Sequence, residues 1–166
     1  MSMKRAISLT SLMAGVALCC LAGNALAQVP QYGTNINYEQ ARKTVAAAIA
    51  EARRQNLPMA VAVVDNSGML VAFERMDNTQ TASTAVSQDK AASAAMYRRP
   101  TKVFQDVLAA GGVGMRVLTL RGANAVEGGL PLFVDGKIVG GLGVSGGTSE
   151  QDGVVAKAGT EGLAAK

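Results

Sequence analysis

Two chemistries overlap in Gly140–Asp152, "GGLGVSGGTSEQD". Gly141-Leu-Gly143-Val-Ser-Gly146 has the spacing of a dinucleotide fingerprint, whose glycines let a pyrophosphate approach a helix N-terminus. Gly143-Val-Ser145-Gly-Gly147 has the spacing of the elbow that presents a serine nucleophile to a histidine base. The first pattern belongs in an opening strand-to-helix turn with further strands behind it, whereas this run is followed by one helix-like segment. The second needs histidine, and the chain has none. A serine with a lysine base stays chemically admissible, but no spacing supports it. What remains is geometric. Alternate residues of a strand share a face, so Val139, Gly141, Gly143 and Ser145 would form a bare strip open to a helix or a ligand. The backbone N–H groups of Gly146, Gly147 and Thr148 would be available to an anion at the start of the last helix.

Other groups invite chemistry elsewhere. Glu74-Arg-Met-Asp77 packs three charges at a strand end, which reads as a solvated rim or as an Arg75 clamp for a carboxylate, with Met76 beside it. Asp89 and Lys90 read as a buried ion pair or as a general base and its neighbour. Glu127, before two glycines and a strand, is a candidate pocket acid. Tyr97, Arg98 and Arg99 at a helix end would complement the helix dipole or line a pocket. The lack of histidine excludes His-based triads and His-ligated iron. The two cysteines, Cys19 and Cys20, lie in a leader-like segment, so zinc is disfavoured and no metal site is expected.

The elements that must position these groups follow from periodicity. Asn37 and Gln40 have capping-box spacing, and Ala41, Val45, Ala48, Ile49 and Ala52 then share one face, predicting a helix from Tyr38 to about Gln55. "MAVAVVD" and "MLVAFER" around "NSG" predict a hairpin whose first strand is apolar on both faces, hence covered on both sides. A second helix spans 81–99, with Ala82, Ala85, Val86, Ala92 and Met96 as its apolar stripe and Asp89 on that stripe. A third begins at Pro100 and stops at Gly111-Gly112. "MRVLTL" reads as a strand. "LPLFVDGKIVGGLGV" reads as a hairpin about Asp135-Gly136. A last helix would be capped by Thr148 or Ser149. Two hairpins without a βαβ repeat predict an α+β domain, an antiparallel sheet covered by helices.

Lys4 and Arg5, the apolar run Ala6–Leu21 and Ala25-Leu-Ala27 have the form of a secretory signal peptide. Residues 1–27 are read as that leader and 28–166 as one domain, in a periplasmic or secreted protein. The chain has 16 basic against 12 acidic residues; with Lys4 and Arg5 set aside the balance is too even to argue for nucleic acid or a membrane surface. Few aromatic residues, 4% of the chain, also disfavour base stacking.

The segments "VAVVDNSGMLVAFERMD", "DKAASAA", "RPT" and "EGGLPLFVDGKIVGGLGVSGGTSEQD" resemble, in this order, the GlcG/HbpS family, found also as the C-terminal domain of PduO-type proteins. The resemblance implies a profilin-like α+β fold with a five-stranded antiparallel sheet, and homo-oligomers. It also implies, among secreted members, haem-binding or haem-degrading proteins. Ligation of haem by histidine does not carry over to a chain without histidine. Tyr97, Met96, Met76 or propionate–arginine contacts would have to serve. The expected function is binding of haem or another small organic anion by Arg75, Met76, Tyr97, Arg99, Gly143, Ser145 and Gly146–Thr148. The competing expectation is a cofactor-free enzyme using Glu127, Asp89 or Lys90 for proton transfer on a small carbonyl or carboxylate substrate. A purely structural assembly protein is the third.

Overall fold

A computed structural model describes residues 29–164. The predicted leader and its boundary at Gln28 lie outside the described residues. In chain order the elements are α1 (Tyr38–Arg54), β1 (Ala60–Asp65), β2 (Leu70–Arg75), α2 (Ser83–Tyr97), α3 (Thr101–Ala109), a 3₁₀ segment (Gly112–Thr119), β3 (Gly129–Val134), β4 (Lys137–Ser145) and α4 (Ser149–Ala164). The strands form one antiparallel sheet in the order β2-β1-β4-β3. This is the expected α+β architecture, with four strands among the described residues where five were expected. "MRVLTL" is the difference: it falls within and just after the 3₁₀ segment, where Val117 is buried and Met115, Leu118 and Leu120 are exposed. An apolar run of that length is ambiguous between strand and helical turn.

Local signals set the element ends. Asn37 and Gln40 form the reciprocal capping box of α1. Asn56, at φ 56°, ends that helix in the left-handed region. Asp135 and Gly136 both have positive φ, as a type I′ hairpin turn requires. Pro131 sits on the edge strand β3, where its missing N–H costs no ladder bond.

Helices α1 and α4 pack together on one face of the sheet, over a core that includes Val45, Ile49, Val61, Val63, Leu132, Leu142 and Val155. Helix α2 covers the other face, lying on β4, β1 and β3. β1 is buried on both sides, as its sequence predicts.

The contact between α2 and β4 is made by backbones. A Cβ on Gly141 would run into the Ala91 carbonyl, and one on Gly143 into the Ser87 carbonyl. Gly129, paired with Gly143, lies as close to the Lys90 carbonyl. The glycine strip therefore receives a helix. Val139 is not part of it: a bulge at Leu132/Phe133 diverts Val139 into the core on the opposite face. The strip also overturns the stripe expected for α2. Only small side chains fit against bare backbone, so Ser83, Ser87, Ala91, Ala94 and Ala95 are buried, together with Lys90. Ala82, Ala85 and Met96 turn outward, Val86 and Ala92 are half-buried, and Asp89 is exposed.

Candidate functional site

At the end of β4 the Gly-rich turn meets the N-terminus of α4. Its N–H groups are already engaged. The Gly147 N–H donates to Asp152 Oδ1 at 3.0 Å, and the Thr148 N–H donates to Gln151 Oε1 at 2.9 Å. The Gln151 N–H returns a bond to Thr148 Oγ1, completing a capping box. The anion in this nest is thus the chain's own Asp152. Ser145 is spent as well: its hydroxyl donates to Ser83 Oγ at 3.1 Å beneath α2. Of the residues expected to contact a ligand here, Gly143, Ser145, Gly147 and Thr148 are occupied by internal packing or bonding. Gly146 abuts Pro58 and Met59.

Asp152 also explains Lys90. The Lys90 ammonium, 1% exposed, donates to Asp152 Oδ2 at 2.6 Å and to the Val144 carbonyl at 3.1 Å. Gly128, at φ 120°, lies over the pair, where a Cβ would be 3.0 Å from Lys90 Nζ. Burial pushes the Asp152 carboxyl above its ordinary value, against the pull of Lys90 and of the Gly147 and Gly146 N–H groups. The pair ties α2, β4 and α4 together. Lys90's partner is therefore Asp152 rather than Asp89, which makes no ion pair or hydrogen bond among the described residues.

The groups considered for acid–base chemistry do not converge. Lys90 is sealed. Asp89 is on the outer face of α2. Glu127 folds its carboxylate over Gly153, 3.9 Å from Lys102. None of the three lines the clefts described below. Tyr97 and Arg99 likewise brace the fold. The Tyr97 hydroxyl donates to the Arg121 carbonyl at 2.7 Å, and its ring meets Phe104 edge-on. Arg99 donates to the Tyr97 carbonyl and lies over the Phe104 ring. They stand at the C-terminal end of α2, whereas Arg75 and Met76 lie past its N-terminal end. A helix of 15 residues is about 22 Å long, so one small ligand does not span both groups.

The unspent groups collect at the Arg75 end. The β2 ladder continues one residue, with the Met76 N–H donating to the Met59 carbonyl. The chain then turns through Asn78, at φ 61°, with Thr79 Oγ1 donating to the Met76 carbonyl at 2.7 Å. Two adjoining open clefts result, of about 430 and about 330 Å³, and Arg53, Met76 and Asp77 line both. Asn56 and Pro58 complete the larger cleft, and Glu74 and Arg75 the smaller. Because Gly146 presses on Pro58, the Gly-rich turn supports the larger cleft from behind. Arg53 reaches Glu74 at 3.7 Å with both side chains exposed. Among the described residues the Arg75 guanidinium has no partner. Sequence reasoning found Arg75 and Met76 but did not single out Arg53. The positions of Arg53 in the last turn of α1 and of Asn56 just beyond it were the available signals.

The chain matches the family model described as "Haem degrading protein HbpS-like" over residues 36–161. The chain belongs to the HbpS-like family. It is 38% identical over 110 residues to Protein GlcG of Escherichia coli K12, covering 66% of this chain and 81% of that protein. Among solved structures it is similar to Klebsiella pneumoniae protein ORFY, with a TM-score of 0.74 at 28% identity, covering 84% of this chain and 97% of that one. It is also similar to the PduOC:heme complex, with a TM-score of 0.70 at 26% identity, covering 78% and 95%. The HbpS-like family and this haem-bound neighbour support a small-molecule or haem-binding role. No helix among the described residues is long and apolar enough to cross a membrane.

Proposed function

We propose that this protein is an exported, homo-oligomeric binding protein for haem or another small organic anion, and that Arg75, with Arg53, receives the ligand's carboxylate. The observation that carries this reading is the unpartnered Arg75 guanidinium at the mouth of clefts it shares with Arg53 and Met76. A free arginine fork offers paired N–H donors to a carboxylate. The family and the haem complex of PduOC supply the ligand class. The donor set fits haem's propionates better than its iron: two guanidinium groups are at hand, the thioether of Met76 is the soft donor, and there is no imidazole. Haem would therefore be recognised through its carboxylates. Export rests on the basic, apolar and small-residue pattern of residues 1–27.

Native mass spectrometry of protein recovered from its own periplasm tests the localisation, the assembly and the bound ligand together. Haemin titration then tests the site. Saturable binding that Arg75→Ala weakens supports the assignment. Absence of any saturable signal with haemin, and of any bound anion in the recovered protein, would overturn the reading.

A further inference from the structure

We infer that a second copy of this chain docks, about a two-fold axis, on the apolar face centred on Met96, with Asp89 of each copy set against Arg121 of the other. The inference rests on the homo-oligomeric part of the proposed function and assigns its contact surface.

Helix α2 leaves one strand of its sheet face bare. Phe73 pairs with Ala62 and Leu70 with Val64, so these side chains project on the α2 side. The helix lies on β4, β1 and β3, and Phe73 and Leu70 remain 36% and 49% exposed. The outward stripe of α2 borders the same edge. A Cβ on Gly68 would be 3.3 Å from Ala92 Cβ and 3.4 Å from Met96 Sδ. On its other side Met96 reaches the exit of the 3₁₀ segment, its methyl 3.6 Å from where a Gly122 Cβ would stand. Met96 is 42% exposed at the middle of this surface. Exposed apolar side chains bordering one edge in this way mark a candidate interaction site.

The charges select the occupant. Asp89 lies two helical turns before Met96, about 10 Å along the axis, and has no partner among the described residues. Arg121 stands toward the C-terminal end of α2, its carbonyl held by the Tyr97 hydroxyl, and its side chain has no partner among the described residues. One acid and one base set apart along α2 are mapped onto their own complements by a two-fold rotation. A lipid surface would call for basic charge alone beside the apolar face. An unrelated protein would not require the two charges to match each other.

The test is sedimentation velocity and native mass spectrometry of the full chain as recovered, with circular dichroism confirming the fold of each variant. Met96→Glu should remove this contact and shift the assembly to smaller species. Asp89→Arg and Arg121→Asp should each weaken association by about tenfold or more, and the double reversal should recover most of that loss. An assembly unchanged by Met96→Glu, or a double reversal no better than the single ones, would overturn the inference while leaving the homo-oligomer in place. A wild-type chain that is monomeric at micromolar concentration would remove both.

Discussion

The two ends of the binding surface expected from sequence use the same kinds of group in opposite ways. At the β4–α4 turn, an ammonium, two backbone N–H groups, two serine hydroxyls and a carboxylate are all satisfied within the chain. At the β2 exit, among the described residues, Arg75 is unpaired and Arg53 is held by one long, exposed contact. A polar group that folding has already satisfied and buried holds the fold together. A group left unsatisfied at the surface is available for recognition. The Gly-rich turn, with more motif character than any other segment, thus belongs to the scaffold. The less patterned "ERMD" belongs to the candidate site.

Four measurements would break or sharpen this contrast. Asp152→Ala strands the Lys90 ammonium in the interior and should cost about 3–5 kcal/mol in a denaturant titration. Replacing both residues by apolar ones of similar volume should recover most of that loss. A cost near zero for the single change would mean that the turn is not part of the scaffold. Gly143→Ala drives a methyl into the Ser87 carbonyl and should cost about 2–3 kcal/mol, read as a lowered melting temperature. Arg75→Ala should leave stability within about 0.5 kcal/mol and weaken binding of haemin or a small carboxylate by about tenfold. Equal losses of stability at Arg75 and Asp152 would erase the distinction.

The smallest expected effect is in pH dependence. Arg54 and Gln55 hold the Glu51 carboxyl at about 2, below its ordinary 4.5. A lowered carboxylate stabilises the fold above its unfolded value, and this contribution is lost as pH falls from 4.5 toward 2. Asp152 is displaced upward by burial, so its sign reverses. Its proton binds the folded state more readily, and this group's share of stability declines as pH rises through the raised value. Melting curves from about pH 6 to about pH 2 should therefore show Glu51→Gln below wild type at the upper end and converging with it at the lower. A difference that widens on acidification would contradict the assignment.

Much of the fold was legible because its signals are local. The Asn37–Gln40 box, the Asp135-Gly136 turn and the doubly apolar β1 each specify a structure within a few residues. The α2 register was not legible, because hydrophobicity ranks Val86 and Met96 above Ser83 and Ser87 while the glycine strip admits only the smaller pair. That outcome depends on a strand some fifty residues away along the chain. Asp152 was quoted as part of a family pattern, yet its partnership with Lys90, 62 residues apart, needed the folded chain. Arg75 was found because a charge at a strand end suffices to suggest it. Its neighbour Arg53 was not, because α1 and β2 meet only in three dimensions.

The backbone contact of α2 with Gly141 and Gly143 also fixes a length. Side chains between packed elements normally act as shims, and their exchange lets spacing drift by fractions of an ångström. Here there is nothing to exchange. Helix and strand touch directly, and the Lys90–Asp152 pair pins the same joint to α4. The Arg75 clefts lie past one end of that splint and the Met96 face near the other. Every copy of the chain therefore presents the two surfaces at the same separation and angle, the tolerance that a closed assembly of identical subunits requires.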